Sequence, residues 1–246
     1  MVLIRAGGTE DGPPEVLLLE RADRAHFAPR AQVFPGGSVD PDDRDPRWRE
    51  LWSPGALVGL DPRAPLELRI AAVRETFEEC GVLLAEPIGE LPVPTAAGLE
   101  RERSAWRLDG RGSFFQLMER LGLRPSATDL IFCAHWLTPE GLSHRFDARF
   151  FLAELPRDQS PRPDPMGESG RWRWADPATA LEEGRQGECQ VLPPTRAVLE
   201  WLALGHGVSG TLQAARNTEV VTEQPRLEDV TAERYPGLDR SRLESE

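Results

Sequence analysis

No lysine occurs anywhere in the 246 residues; all 29 basic side chains are arginine. That absence excludes chemistry resting on a side-chain amine, whether a Schiff base or a phosphate-loop lysine. Cysteine is scarce as well. Cys80, Cys133 and Cys189 are odd in number, widely spaced and without a metal-ligand pattern, so they read as structural thiols in a reducing cytoplasm. No basic tract offsets the net charge of -12, which argues against a nucleic-acid partner held by bulk electrostatics. No apolar stretch approaches the roughly 20 residues needed to span a bilayer, and the opening Met1–Gly8 is too short for a signal peptide. The expectation is a soluble, cytoplasmic protein with no membrane partner.

What is present points to a mixed architecture. The length suits one large domain, or one domain with appendages. Proline (23) and glycine (22) are both abundant, which favours many loops over a helical bundle. Val2–Ala6 and Val16–Leu19 read as a hairpin. Val33-Phe34 lead into Pro35-Gly36-Gly37, a turn where backbone must pass close to something. Residues 41–65, rich in Pro, Asp, Arg and Trp, read as an insertion with one helical turn around Trp48–Trp52.

From Leu66 the pattern becomes helical. Leu66, Ile70, Val73 and Phe77 form an apolar stripe, and Gly81 stands where such a helix ends. A second helix is expected from Ser113, with Gln116 in the capping-box position, a buried face of Phe114, Leu117, Met118 and Leu121, and Gly122 as its stop. Residues 130–137 and 148–155 are strand candidates. Arg171–Ala175 is a shorter one, followed by Asp176-Pro177 as cap and first helical residue. A final helix is expected from Pro194 or Thr195 to Leu204. The tail from 216 onward reads as an extended or partly disordered arm.

The chemistry is concentrated in Arg74-Glu75-Thr76-Phe77-Glu78-Glu79-Cys80-Gly81-Val82. Glu75, Glu78 and Glu79 sit at i, i+3 and i+4, which places three carboxylates on one helix face. Such crowding is self-repulsive. A hard divalent cation removes the penalty, and oxygen donors are what Mg²⁺ or Mn²⁺ prefer. Arg74 can fix one carboxylate by a bidentate hydrogen bond. An isolated Glu-x-x-Glu-Glu would ordinarily be a solvated acidic face. Here the string continues to Gly81 and is preceded by Phe34-Pro35-Gly36-Gly37.

In that extended form the segment resembles the Nudix box of the Nudix hydrolase superfamily. Two features depart from the usual box. Asp43 stands six residues after Gly37 where glutamate is usual, and the spacer to Arg74 is some two dozen residues too long. An interrupted box of this kind resembles the Nudix 19, or coenzyme A diphosphatase, subgroup. Insertion at this point should lengthen a surface loop, whose closure cost grows slowly. Leu18-Leu19-Glu20-Arg21-Ala22 and its distance from the glycine turn are similar to the coenzyme A pyrophosphatase signature, although His26 and Arg30 differ from it. Leu137-Thr138-Pro139 and Arg145–Ala153 resemble the second half of the subgroup. The Trp172–Trp174 pair is expected in the core rather than as a base-stacking platform.

The resemblance implies an α/β class protein, a Nudix α/β/α sandwich with a mixed sheet. Residues 1–215 would form the Nudix domain, with its insertion at about 41–65, and 216–246 the arm. Glu75, Glu78 and Glu79 would hold Mg²⁺ or Mn²⁺; Arg74, Glu78 and Glu168 are the catalytic candidates. Arg21, Phe34, Gly36 and Gly37 are the substrate-binding candidates. The implied partner is a small-molecule diphosphate, foremost coenzyme A or acyl-CoA, with ADP-ribose or a nucleotide sugar as alternatives. A non-catalytic nucleotide-sensing module is the alternative of another class. Nudix proteins are often dimers, which leaves a homodimer open.

Overall fold

The computed structural model describes residues 1–9, 11–22, 28, 30–52, 55–89, 94–108, 112–141, 145–163, 169–229 and 231. They divide into two compact units.

The larger unit comprises Val2–Phe34, Ile131–Glu154 and Asp164–Glu246. Its sheet contains β1 (Val2–Arg5), β2 (Glu15–Arg21), β3 (Ala31–Val33), β6 (Ile131–Leu137), β7 (Asp147–Glu154), β8 (Ser169–Ala175), β9 (Gln190–Val191) and β10 (Thr222–Glu223). The spatial order is β10-β6-β7-β1-β2-β3-β9, with β8 also paired to β2. β1–β2, β2–β3, β2–β8 and β6–β7 are antiparallel, whereas β1–β7, β3–β9 and β6–β10 are parallel. The sheet is therefore mixed, as expected. Val16 to Leu19 are buried without a break, so β2 reads as a continuous apolar run rather than an alternating one. Val2, Ile4, Val16, Leu18 and Ala175 pack with residues of α4 (Pro177–Arg185) and α5 (Pro193–Leu202). Asp176 caps α4 through the Thr179 N–H at 2.8 Å, ahead of Pro177.

The C-terminal helix expected to run to Leu204 stops at Leu202 and is not the last one. α6 (Gly207–Asn217) follows, and β10 then lies along β6. His135 of β6 bonds the Thr222 hydroxyl and the Asp147 carboxylate at 2.8 and 2.6 Å, tying β10 and β7 to the same side chain.

The second unit comprises Met1, Pro35–Leu130 and Leu155–Pro163. It holds α1 (Leu66–Cys80), β4 (Ala85–Pro87), α2 (Ala96–Leu108), α3 (Phe114–Leu121) and β5 (Leu123–Pro125), with β4 and β5 antiparallel. α1 buries Ile70, Val73 and Phe77 completely and ends at Gly81 in the left-handed conformation (φ 70°). Ser113 caps α3 and Gly122 ends it, but Phe115 rather than Leu121 completes the buried face.

α2 has no counterpart in the sequence reading. Its buried positions are Leu99, Arg103 and Trp106, and an arginine in the middle hides the apolar stripe.

The helical turn expected around Trp48–Trp52 is present in the insertion, but the segment is more than a surface loop. Pro41–Arg44 and Pro46–Leu51 form two short 3-10 helices, and Asp43 and Trp48 are each only 1% exposed. The Trp48 ring sits 5.8 and 4.9 Å from the rings of Phe114 and Phe115. Asp42 accepts from the Ser113 hydroxyl at 2.7 Å and the Phe115 N–H at 3.3 Å. The segment is pinned to α3 by packing and by hydrogen bonds.

Candidate active site

The site is built where α1 meets the glycine turn, within the second unit. Arg74 lies at its centre with a side chain 4% exposed. Its Nε and Nη2 bond the two oxygens of Asp43 at 2.9 and 2.8 Å. Nη2 also donates to the Ser38 carbonyl at 2.8 Å, and Nη1 to Glu75 and Glu78 at 2.9 and 3.3 Å. The bidentate partner expected among the helix glutamates is thus Asp43, contributed by the insertion. Burial disfavours the charged guanidinium, but Asp43, Glu75 and Glu78 outweigh it and raise its pKa. Arg74 stays a cation.

Glu75, Glu78 and Glu79 are all half-buried on α1. Glu79 accepts the Gly36 N–H at 2.9 Å. A Cβ on Gly37 would stand 2.4 Å from a Glu75 carboxylate oxygen, so a larger residue there would push that carboxylate aside. Gly36 is thus bonded to Glu79, and Gly37 lies directly against Glu75. Burial raises the Glu75 pKa; Arg74 opposes that, and the neighbouring Glu78 charge adds to it.

Among the described residues, no three acidic, imidazole or thiol groups are gathered closely enough to enclose a metal ion. Glu79 is held by the turn, and Glu75 and Glu78 by Arg74. The donor set still suits a hard divalent cation. It consists of carboxylate oxygens, and the raised Glu75 pKa records a like-charge and desolvation penalty that a cation would relieve.

Of the remaining candidates, Arg21 and Phe34 belong to the larger unit. Arg21 ends β2, half-buried, and its carbonyl accepts the Arg30 N–H at 3.0 Å. Phe34 is buried, with its ring edge-on to Phe150 at 6.1 Å. The ring is a core anchor. Glu168 and His26 lie outside the described residues. Trp172 is 42% exposed, so it is not a core residue as expected, while Trp174 is half-buried under the Arg5 guanidinium at 4.4 Å. Asp43 is the residue of the candidate site whose partnership with Arg74 the sequence did not reveal; its position six residues after Gly37 was the available signal.

Cys80 and Cys133 carry free thiols whose pKa burial pushes up, that of Cys133 to about 12. Both are inert at neutral pH.

The fold is similar to that of a NUDIX hydrolase from Alicyclobacillus acidocaldarius, with a TM-score of 0.63 and 27% identity over 89% of this chain and 94% of that one. Residues 62–200 match the family model described as the NUDT19 Nudix domain, and the chain belongs to that family. Relatives include proteins named acyl-coenzyme A diphosphatase NUDT19 from Gallus gallus, 31% identical, and Homo sapiens, 33% identical. Each alignment covers 73% of this chain and 58% of the relative, so the chain spans less than two thirds of their length. Nudix hydrolases generally depend on divalent metal ions. No helix among the described residues is long and apolar enough to cross a membrane.

Proposed function

We propose that the chain hydrolyses a diphosphate linkage, with coenzyme A or acyl-CoA as substrate. The products are 3′,5′-ADP and 4′-phosphopantetheine or its acyl form, one water being added across the phosphoric anhydride. The observation that carries this reading is the glutamate face of α1, braced by Arg74 and joined to the glycine turn. The names of the relatives favour coenzyme A within that class.

Glu75, Glu78 and Glu79 would hold Mg²⁺ or Mn²⁺. When bound, such an ion neutralises phosphate charge and lowers the pKa of a water molecule. Arg74 keeps two of the carboxylates oriented, and its bond to Asp43 fixes the guanidinium itself. The Gly36 N–H keeps Glu79 turned toward the glycine turn. Glu168 is the candidate general base. A cytoplasmic setting accords with the free thiols of Cys80, Cys133 and Cys189.

The test is a product assay over coenzyme A, acyl-CoA, ADP-ribose, NADH and UDP-glucose with Mg²⁺ and Mn²⁺. Coenzyme A compounds should be cleaved fastest, and Glu78→Gln or Glu79→Gln should remove most metal-dependent turnover while leaving the circular dichroism spectrum unchanged. Preference for another substrate would overturn the coenzyme A assignment. Wild-type rates in both variants would remove the site. Nucleotide binding without any product would indicate a sensing module instead.

A further inference from the structure

Arg103 of α2 is 4% exposed, and beyond its own helix its guanidinium reaches the C-terminal end of α1 and the Arg162 carbonyl. Nη2 donates to the Arg162 carbonyl at 2.7 Å. The same Arg162 donates its own N–H to the Cys80 carbonyl at 2.6 Å. Nη1 reaches the Glu78 carbonyl at 3.4 Å, a long contact, and Nη2 pairs with Glu100 at 3.0 Å. Arg103, Arg162 and the last turn of α1 thereby close a ring of hydrogen bonds. Gly81 fits the same geometry: a Cβ there would stand 3.1 Å from the guanidinium carbon. The carbonyls at a helix C-terminus lack intrahelical partners and carry partial negative charge. A buried cation answers both needs.

That last turn contains Glu78 and Glu79. We propose that Arg103 is a positioning residue for the metal-binding glutamates, acting through the peptide carbonyls of the turn that bears them. The inference rests on the reading of Glu78 and Glu79 as metal ligands. Arg103 touches neither carboxylate in the described contacts; it fixes the backbone from which they project. A ligand turn released from this ring would have to be ordered again each time a cation binds.

Mn²⁺ binding to the substrate-free protein, followed by electron paramagnetic resonance, tests the idea without depending on turnover. Arg103→Met should weaken Mn²⁺ binding by on the order of 10- to 100-fold, the range for groups that orient metal ligands. It should also speed amide exchange at Glu79–Val82 in the metal-free protein. Arg103→Lys, which keeps the cation but not the fork, should fall between. Arg69 supplies the control. It is equally buried and bonds the carbonyls of Ala64, Ala127 and Leu130, away from the glutamate turn. Arg69→Met should lower the Tm yet leave Mn²⁺ affinity unchanged.

Wild-type Mn²⁺ affinity in Arg103→Met, or in Arg103→Lys if the methionine variant does not fold, overturns the proposal. Equal losses in the Arg69 and Arg103 variants overturn it too, since the effect would then be general destabilisation. If Glu79→Gln loses Mn²⁺ while Arg103→Met retains it, positioning alone fails. If the wild type binds no Mn²⁺, the ligand assignment fails and positioning falls with it.

Discussion

A guanidinium carries five N–H donors, and in Arg74 the hydrogen bonds to Asp43, Ser38, Glu75 and Glu78 account for all of them. Such a centre leaves Glu75 paired but desolvated, with its folded pKa raised. The consequence for stability has a definite sign. Below the ordinary value of 4.5, Glu75 is protonated in the folded and unfolded chains alike. As pH rises through that value the unfolded chain ionises first, so stability falls until the folded pKa is passed and the penalty then stays constant. Metal-free Glu75→Gln should therefore have a higher Tm than wild type at neutral pH, with the difference disappearing below about pH 4. Thermal melts in chelator across that range would check it; a gain confined to acid would contradict it. At this scale the glutamates and Arg74 were legible in sequence because helical spacing places them together. The main partner of Arg74 was not, because it lies 31 residues earlier and periodicity carries no information over that distance.

Elements show the same division. α1 and α3 were readable from their apolar stripes and glycine stops, and β1, β2, β6 and β7 from their apolar runs. α2 was hidden by the arginine at its buried midpoint, and β4, β5 and β9 are too short to show a period. The insertion was visible as irregular composition, yet its burial depends on Trp48 meeting α3, a tertiary contact. Because Asp43 comes from a 3-10 helix packed in this way, the insertion and α1 should fail together. Asp43→Asn leaves Arg74 without a charged bidentate partner and should cost about 3–5 kcal/mol, the range for breaking a buried ion pair. Asp43→Glu restores the residue usual at this position of the box, but it adds a methylene where no space is exposed. It should cost about 1–3 kcal/mol through overpacking. Urea unfolding and kcat/KM measured side by side would check both; a glutamate variant as active and stable as wild type would show that the pocket yields.

At the scale of the whole molecule, family membership was legible from one short string, while the substrate depends on features that string does not contain. The net charge of -12 adds a constraint of its own. A diphosphate approaching an acidic protein is repelled over a distance set by ionic strength, from about 30 Å at 0.01 M to about 8 Å at 0.15 M. At saturating metal, kcat/KM for coenzyme A should therefore rise as salt is raised over that range. A fall would mean that arginines near the site dominate the long-range field. The bond between Asp43 and Arg74 has one more effect at this scale. It closes the chain between them into a tethered loop, with both anchor points buried and the stretch around Gly55 to Gly59 exposed. Lengthening a loop whose ends are already joined adds only a logarithmic entropy cost. The exposed stretch around Gly55 to Gly59 is thus free to drift in length and composition among descendants while the glutamate site keeps its shape.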